Sequence, residues 1–310
     1  MQMLKWFVGA IALLAVACGE VSEPSKPVIH EGEGLLELPL VSTSAGRSYK
    51  LVGATFAITG PQNATITDTS AESVSLPLTA GTYSIQMNGD WHVERTDAPG
   101  VAVPATLVSP NPMTFTLGEG ETRPVRFLFK VPEDGNANVG IGVDSGGWIT
   151  GTVQFAPRPP PSPGLQDVFY ELAGKSIPFA ISFESATVTR SVEFGRKRVT
   201  IDTAPVTVQF GGATGTAFQQ QFVAALQGRV MNLRIETSGP SGTVVEPIRL
   251  ENLERGVSFE IEPSQLNLGV DADGYALLQP TAFNSGFAEL SALNSPSVSG
   301  PLSSGTFAPR

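Results

Sequence analysis

Apolar and polar positions alternate with a period of two through most of this chain. In "VRFLFKV", Val125, Phe127, Phe129 and Val131 share one face, and Arg126, Leu128 and Lys130 take the other. In "TYSIQM", Tyr83, Ile85 and Met87 stand against Thr82, Ser84 and Gln86. Successive side chains of a strand point to opposite faces, so the pattern predicts half-buried strands. It continues in the second half of the chain. Phe179, Ile181 and Phe183 alternate in "PFAISFESATVTR", and "RVTID" and "VTVQF" follow suit. Met231, Leu233 and Ile235 share a face in "VMNLRIE", as do Val257, Phe259 and Ile261 in "GVSFEIEP". One interruption is helical. In "TAFQQQFVAALQGR", Phe218, Phe222, Val223 and Leu226 form an i, i+4, i+5, i+8 stripe, with Thr216 to cap its start and Gly228 its end. The expected fold class is all-β: two β-sandwich-like domains, with one short helix in the second.

Turn signals and composition breaks divide the pattern. Asn88-Gly89 in "MNGDW" is a strong hairpin signal, and "SPNP" and "GEGE" mark further turns. "GEVSEPSKPVIHEGEG", 19–34, is polar and broken by Pro and Gly, which suits a flexible tether. "FAPRPPPSPG", 155–164, favours extended polyproline II, a semi-rigid spacer. The expected organisation is an apolar leader at 1–17, a tether at 18–34, a β-sandwich at 35–156, a Pro-rich linker at 157–165 and a β-rich domain at 166–310. The ending "NSPSVSGPLSSGTFAPR" reads as loosely ordered. No repeat with a period of roughly 20 to 50 residues stands out.

The only cysteine, Cys18, directly follows the leader. Lys5 is followed by an apolar run, Trp6 to Ala17, that is shorter than the roughly 20 residues of a membrane span. Small residues then lead to a cleavage point, a secretory pattern. "LAVAC" resembles the lipobox of bacterial lipoproteins, with small Val16 and Ala17 before Cys18; Ala15 stands where that family prefers Leu. The resemblance implies a diacylglycerol on the Cys18 thiol, removal of residues 1–17 and, in many bacteria, a further acyl chain on the new amino group. Two or three acyl chains hold a protein firmly where one does not. Gly19 is not the Asp that retains many Gram-negative lipoproteins in the inner membrane, which points to the outer membrane. An exported domain commonly uses paired cysteines, and Cys18 has none to pair with.

A second resemblance covers residues 34–131. Leu78, Ala80, Gly81, Tyr83 and Ile85 in "VSLPLTAGTYSIQM" match the L-x-A-G-x-Y-x-hydrophobic strand of transthyretin-like domains, the prealbumin, carboxypeptidase-regulatory and Cna-B group. "GATFAITG" is similar to that family's earlier strand, and "FTLGEGETRPVRFLFKV" to its closing hairpin. Such modules usually serve as spacers, stalks or binding units. Some Cna-B modules carry a Lys–Asn crosslink. Lys50 offers the amine, but the closing strand offers no Asn.

Charge narrows the partners. The formal net charge is −10. Without residues 1–17, which carry one lysine, it falls to about −11. That balance disfavours nucleic acid and anionic headgroups. Only 15% of residues are charged, while Gly and Pro number 33 and 25, as in exported all-β proteins rather than cytoplasmic α/β enzymes.

Candidate chemistry is sparse. Acid–base work near neutral pH usually falls to histidine. His30 lies in the tether, and His92, in "DWHVER", has no G-x-S-x-G nucleophile to serve. Zinc lacks ligands. Two acidic loops approach a calcium pattern. Asp134, Asn136 and Asn138 have the spacing, but Val139 replaces the required Gly and Ser145 the closing Glu; Asp271, Asp273 and Gly274 are followed by Pro280 at the twelfth position. Both read as Asx-rich turns. Paired carboxylates could run glycoside hydrolysis without histidine; Glu260 and Glu262 share the outer face of one strand, a spacing that suits a solvated face. Trp91 could stack a sugar. "GGATGTAF", 211–218, lacks the Walker lysine and the G-x-G-x-x-G order. The expectation is a non-enzymatic envelope lipoprotein without metal or cofactor, a structural, adhesive or ligand-binding β module. Its partners would be the membrane, through lipid on Cys18, and an envelope protein or glycan, not nucleic acid. The alternatives are a carboxylate-dependent glycan hydrolase and a carbohydrate-binding module.

Overall fold

The alternating segments are strands. A computed structural model of the chain describes residues 27–44, 47–132, 138–141, 146–164, 166–238 and 242–309. The fold is all-β: 55% of the residues are strand and 5% helical. Every apolar face named from the sequence is buried, including Tyr83, Ile85 and Met87, Phe179, Ile181 and Phe183, and Val257, Phe259 and Ile261.

One long antiparallel sheet runs through both halves. Its order is Ile248–Asn252, Val257–Pro263, Gly286–Ala292, Ser295–Ala308, Gly147–Gln154, Ser176–Phe183, Val206–Gly211, Met113–Leu117, Gly81–Asn88, Thr55–Thr59 and Ala64–Ile66, with Thr281–Phe283 paired to Ser295–Ala308 at the side. Smaller sheets complete two hydrophobic clusters. In the first half these are Glu33–Pro39 between Thr122–Pro124 and Ser73–Thr79, the four-stranded set that includes Arg47–Val52 and His92–Arg95, and a three-stranded set around Phe129–Pro132. In the second half one four-stranded sheet, Ala186–Glu193, Arg196–Thr203, Asn232–Ser238 and Gly242–Val245, plays that part. The first cluster spans Leu36 to Val131, the second Ile149 to Phe307.

The expected division into 35–156 and 166–310 needs correction. Gly147–Gln154 precedes the proline segment, yet it pairs along its whole length with Ser176–Phe183 beyond it, and with Ser295–Ala308 on its other side. The prolines form the connection of a wide hairpin, not a spacer between separate bodies. Its ends are tied by Phe155 N–H to Lys175 O (3.0 Å) and Gly174 N–H to Ala156 O (3.2 Å), and by an Arg158–Asp167 ion pair. The change of hydrophobic cluster falls earlier, between Val131 and Ile149. The tether also ends sooner than expected, because Glu33 and Gly34 already belong to a strand.

Two local expectations change for one reason: sequence neighbours here often pass to another sheet. Asn88-Gly89, with Gly89 at φ +89°, does not close a hairpin. The strand before it pairs with Thr55–Thr59 and Met113–Leu117, and His92–Arg95 after it pairs with Arg47–Val52. "FTLGEGETRPVRFLFKV" likewise divides. Met113–Leu117 lies in the long sheet, whereas Thr122–Pro124 runs parallel to Glu33–Pro39. The ending, expected to be loose, is the longest strand among the described residues, Ser295–Ala308. Its alternation is masked by glycine. A Cβ on Gly300 would lie 2.3 Å from the Gln154 carbonyl oxygen, and one on Gly305 2.1 Å from that of Thr150.

The expected helix is present as a wide-turned Phe218–Val223 followed by Ala224–Leu226. Phe218 and Phe222 stack at 5.1 Å and meet Phe210 and Phe169 edge-on. Neither end is capped as expected: no side chain caps the start, and the helix already leaves off at Gln227, at ψ 131°, with the Gly228 N–H donated to Val206 O instead of a helix carbonyl. The Thr216 hydroxyl lies 2.8 Å from that of Thr82, linking the two halves of the chain.

Candidate functional site

Most residues singled out from the sequence are committed to local structure. His92 Nε2 lies 2.7 Å from Glu94 Oε1, two residues along the same strand. The other Glu94 oxygen accepts the Gly100 N–H at 2.8 Å. That amide first, and His92 second, hold the Glu94 carboxyl below its ordinary value. Trp91 is half-buried and packs edge-on against Phe129 at 5.1 Å, so it offers no open sugar platform. The Lys50 ammonium donates to the Ser70 carbonyl. Glu260 is held by Arg249 Nε at 2.9 Å and faces Glu289 on the next strand, while Glu262 is exposed. His30 is exposed.

Asp271 makes an Asx turn. Its Oδ1 accepts the N–H groups of Asp273 (3.0 Å) and Tyr275 (2.9 Å), and its Oδ2 accepts from Arg190 (2.8 Å). The Tyr275 amide is the main cause of its lowered pKa. "GGATGTAF" is no phosphate cradle: a Cβ on Gly215 would lie 2.3 Å from the Glu171 carboxylate, and that charge would repel an anion. Cys18, Asp134, Asn136 and Ser145 lie outside the described residues. Among the described residues no three of His, Cys, Asp and Glu converge as a metal group, and no helix is long and apolar enough to cross a membrane.

The more open chemistry lies where the two halves of the long sheet meet. Met113–Leu117 and Val206–Gly211 pair only at Met113–Gly211 and Thr114–Phe210. There the ladder stops, and each strand continues with its other neighbour alone. A cleft of about 360 Å³ follows this parting. Its junction is clamped by buried polar groups. Gln209 Oε1 accepts the Ser109 hydroxyl proton (2.7 Å), its Nε2 donates to the Arg126 carbonyl (2.8 Å), and Ser109 Oγ accepts the Leu128 N–H (2.8 Å).

Polar groups from both halves line the cleft. Glu121 has one oxygen on the Gly118 N–H (2.7 Å) and the other 3.3 Å from Arg123. Gln227 Oε1 accepts the Val208 N–H (2.9 Å) at the strand edge that the parted ladder leaves, and its Nε2 has no partner among the described residues. Gln219 Nε2 donates to Thr214 Oγ1 (2.8 Å), which fixes the amide, and its oxygen has no partner among the described residues. The exposed Arg126 guanidinium has no hydrogen-bond or ion-pair partner among the described residues. Val208 and Val223 add apolar surface. The arrangement can receive a small molecule through the fixed Gln227 amide and the exposed Arg126 guanidinium. Its single carboxylate, on Glu121, is already hydrogen-bonded.

Sequence reasoning missed this site. Arg126 reads as the outer face of an alternating strand and Gln209 as one polar residue in "VTVQF"; nothing local ties either to Gln227. No protein-family model, curated protein or solved structure matches the chain.

Proposed function

We propose that this chain is a lipoprotein of the bacterial envelope, anchored by acyl groups on Cys18, whose β body binds a ligand rather than transforming one. The observation that carries the binding role is the cleft at the parted ladder. It presents free donors from Arg126 and Gln227, and its only carboxylate is tied to Gly118 and Arg123. General acid–base catalysis needs a group free to exchange a proton with substrate, and binding needs only fixed donors on a shaped wall. The anchor is supported by the lone Cys18 behind an apolar leader with small residues. The likeness of residues 34–131 to transthyretin-like modules agrees with a binding or spacer role, and Gly19 favours the outer membrane.

The test is fractionation of cells that express the full chain, with mass measurement of the mature N-terminus. The expected result is a membrane-bound protein that begins at an acylated Cys18, and a Cys18→Ala variant that is soluble or unprocessed. An unmodified Cys18 thiol, or a cut elsewhere, sinks the anchor.

A further inference from the structure

We infer that the cleft between Met113–Leu117 and Val206–Gly211 is a site for a small organic anion, a sulfonate- or carboxylate-type headgroup on an apolar body. This rests on the binding role proposed above and adds the ligand class. The volume, about 360 Å³, lies in the range of small-molecule sites, which favour junctions between structural units. The charge balance of the wall is opposite to that of the molecule. Arg123 and Arg126 face one carboxylate, Glu121, in a chain with a formal net charge of −10. Glu121 already accepts from Gly118 and stands beside Arg123, so among the described residues Arg126 is the cation of this wall without a counter-ion. A guanidinium presents several donors in a fixed plane, suited to an oxyanion.

The unused Gln227 Nε2 adds a neutral donor. Its direction is set by the bond from Val208 N–H to Oε1, so binding does not have to order this side chain. The buried Gln219 amide is fixed the other way round, with its Nε2 on Thr214, so it adds no donor for the anion. Val208 and Val223 give an apolar body something to cover. The partial closing of the sheet thus sets a lone cation and a pre-oriented amide along one pocket.

The experiment is a fluorescence titration of the full chain with anilinonaphthalene sulfonate, an aromatic anion. Saturable one-to-one binding that weakens with added salt is expected. Arg126→Ala should weaken it about 10- to 100-fold, as expected for loss of a charge-assisted hydrogen bond. Arg126→Lys, which keeps the charge without the planar donors, should lose less than Arg126→Ala. Thr207→Trp, which fills the cleft from an exposed position, should abolish it. Melting curves of the variants should match the parent, since Arg126 and Thr207 are both exposed. Two results would overturn the inference: no saturable binding, or binding that ignores Arg126→Ala. If Thr207→Trp blocks a probe that Arg126→Ala leaves alone, the cleft still binds and only its anion preference fails. Binding unaffected by either variant places the probe elsewhere and removes the site.

Discussion

Replacing Gln209 with alanine should loosen the junction between the two halves of the long sheet. Gln209 is 8% exposed and makes two hydrogen bonds to the first half, to Ser109 Oγ and to the Arg126 carbonyl. Alanine removes both. The bond to the Arg126 carbonyl is part-buried, and its loss is worth about 1 kcal/mol. The Ser109 hydroxyl is buried and loses its acceptor, at a cost of about 1–3 kcal/mol. Together these give roughly 2–4 kcal/mol, or about 3–6 °C of melting temperature for a chain of this size. Urea and thermal unfolding of Gln209→Ala, Ser109→Ala and the double variant measure it. Ser109 also accepts the Leu128 N–H, so its removal strands a second group. The pair should couple by about 1 kcal/mol or more, because the two side chains share one network. Loss of less than about 0.5 kcal/mol in Gln209→Ala, or additivity within about 0.3 kcal/mol, would refute the clamp.

Three further outcomes follow from packing and charge. Gly305→Ala should destabilise by about 1–3 kcal/mol, since its Cβ would lie 2.1 Å from Thr150 O and 2.2 Å from the Phe283 ring; an unchanged urea midpoint would show that the strands part freely. Acid should weaken the fold through Glu236, whose carboxyl is held below its ordinary 4.5 chiefly by Arg198. A lowered folded pKa stabilises above the ordinary value and is lost as the pH falls through the lowered one, so Glu236→Gln should flatten the drop in melting temperature from about pH 5 to pH 3; equal slopes would contradict this. A chelator should leave the melting temperature unchanged, because Asp271 is filled by two amides and Arg190, and a chelator-sensitive melt would reveal a metal this turn was thought not to need.

The chain's own pattern determined the strands, their inward faces and the one helical interruption. A period of two, or of three to four, is a property of the backbone that each residue expresses locally. The Asx turn at Asp271 was legible for the same reason, because its bonds close within four residues. Which strands pair is a different matter. Asn88-Gly89 has the chemistry of a hairpin, but its flanking strands pair in different sheets. The prolines at 157–165 look like a boundary only until Gly147–Gln154 pairs across them. Ser295–Ala308 looked loose because Gly300 and Gly305 replace the apolar residues that would mark its inner face, and the need for glycine appears only when the neighbouring carbonyls are in place. The cleft is the extreme case. Arg126, Gln209 and Gln227 are unremarkable polar residues of separate segments, brought to one wall because the ladder between Met113–Leu117 and Val206–Gly211 stops after two pairs. Local periodicity carries no record of where a ladder ends, since that depends on how two independently packed cores meet.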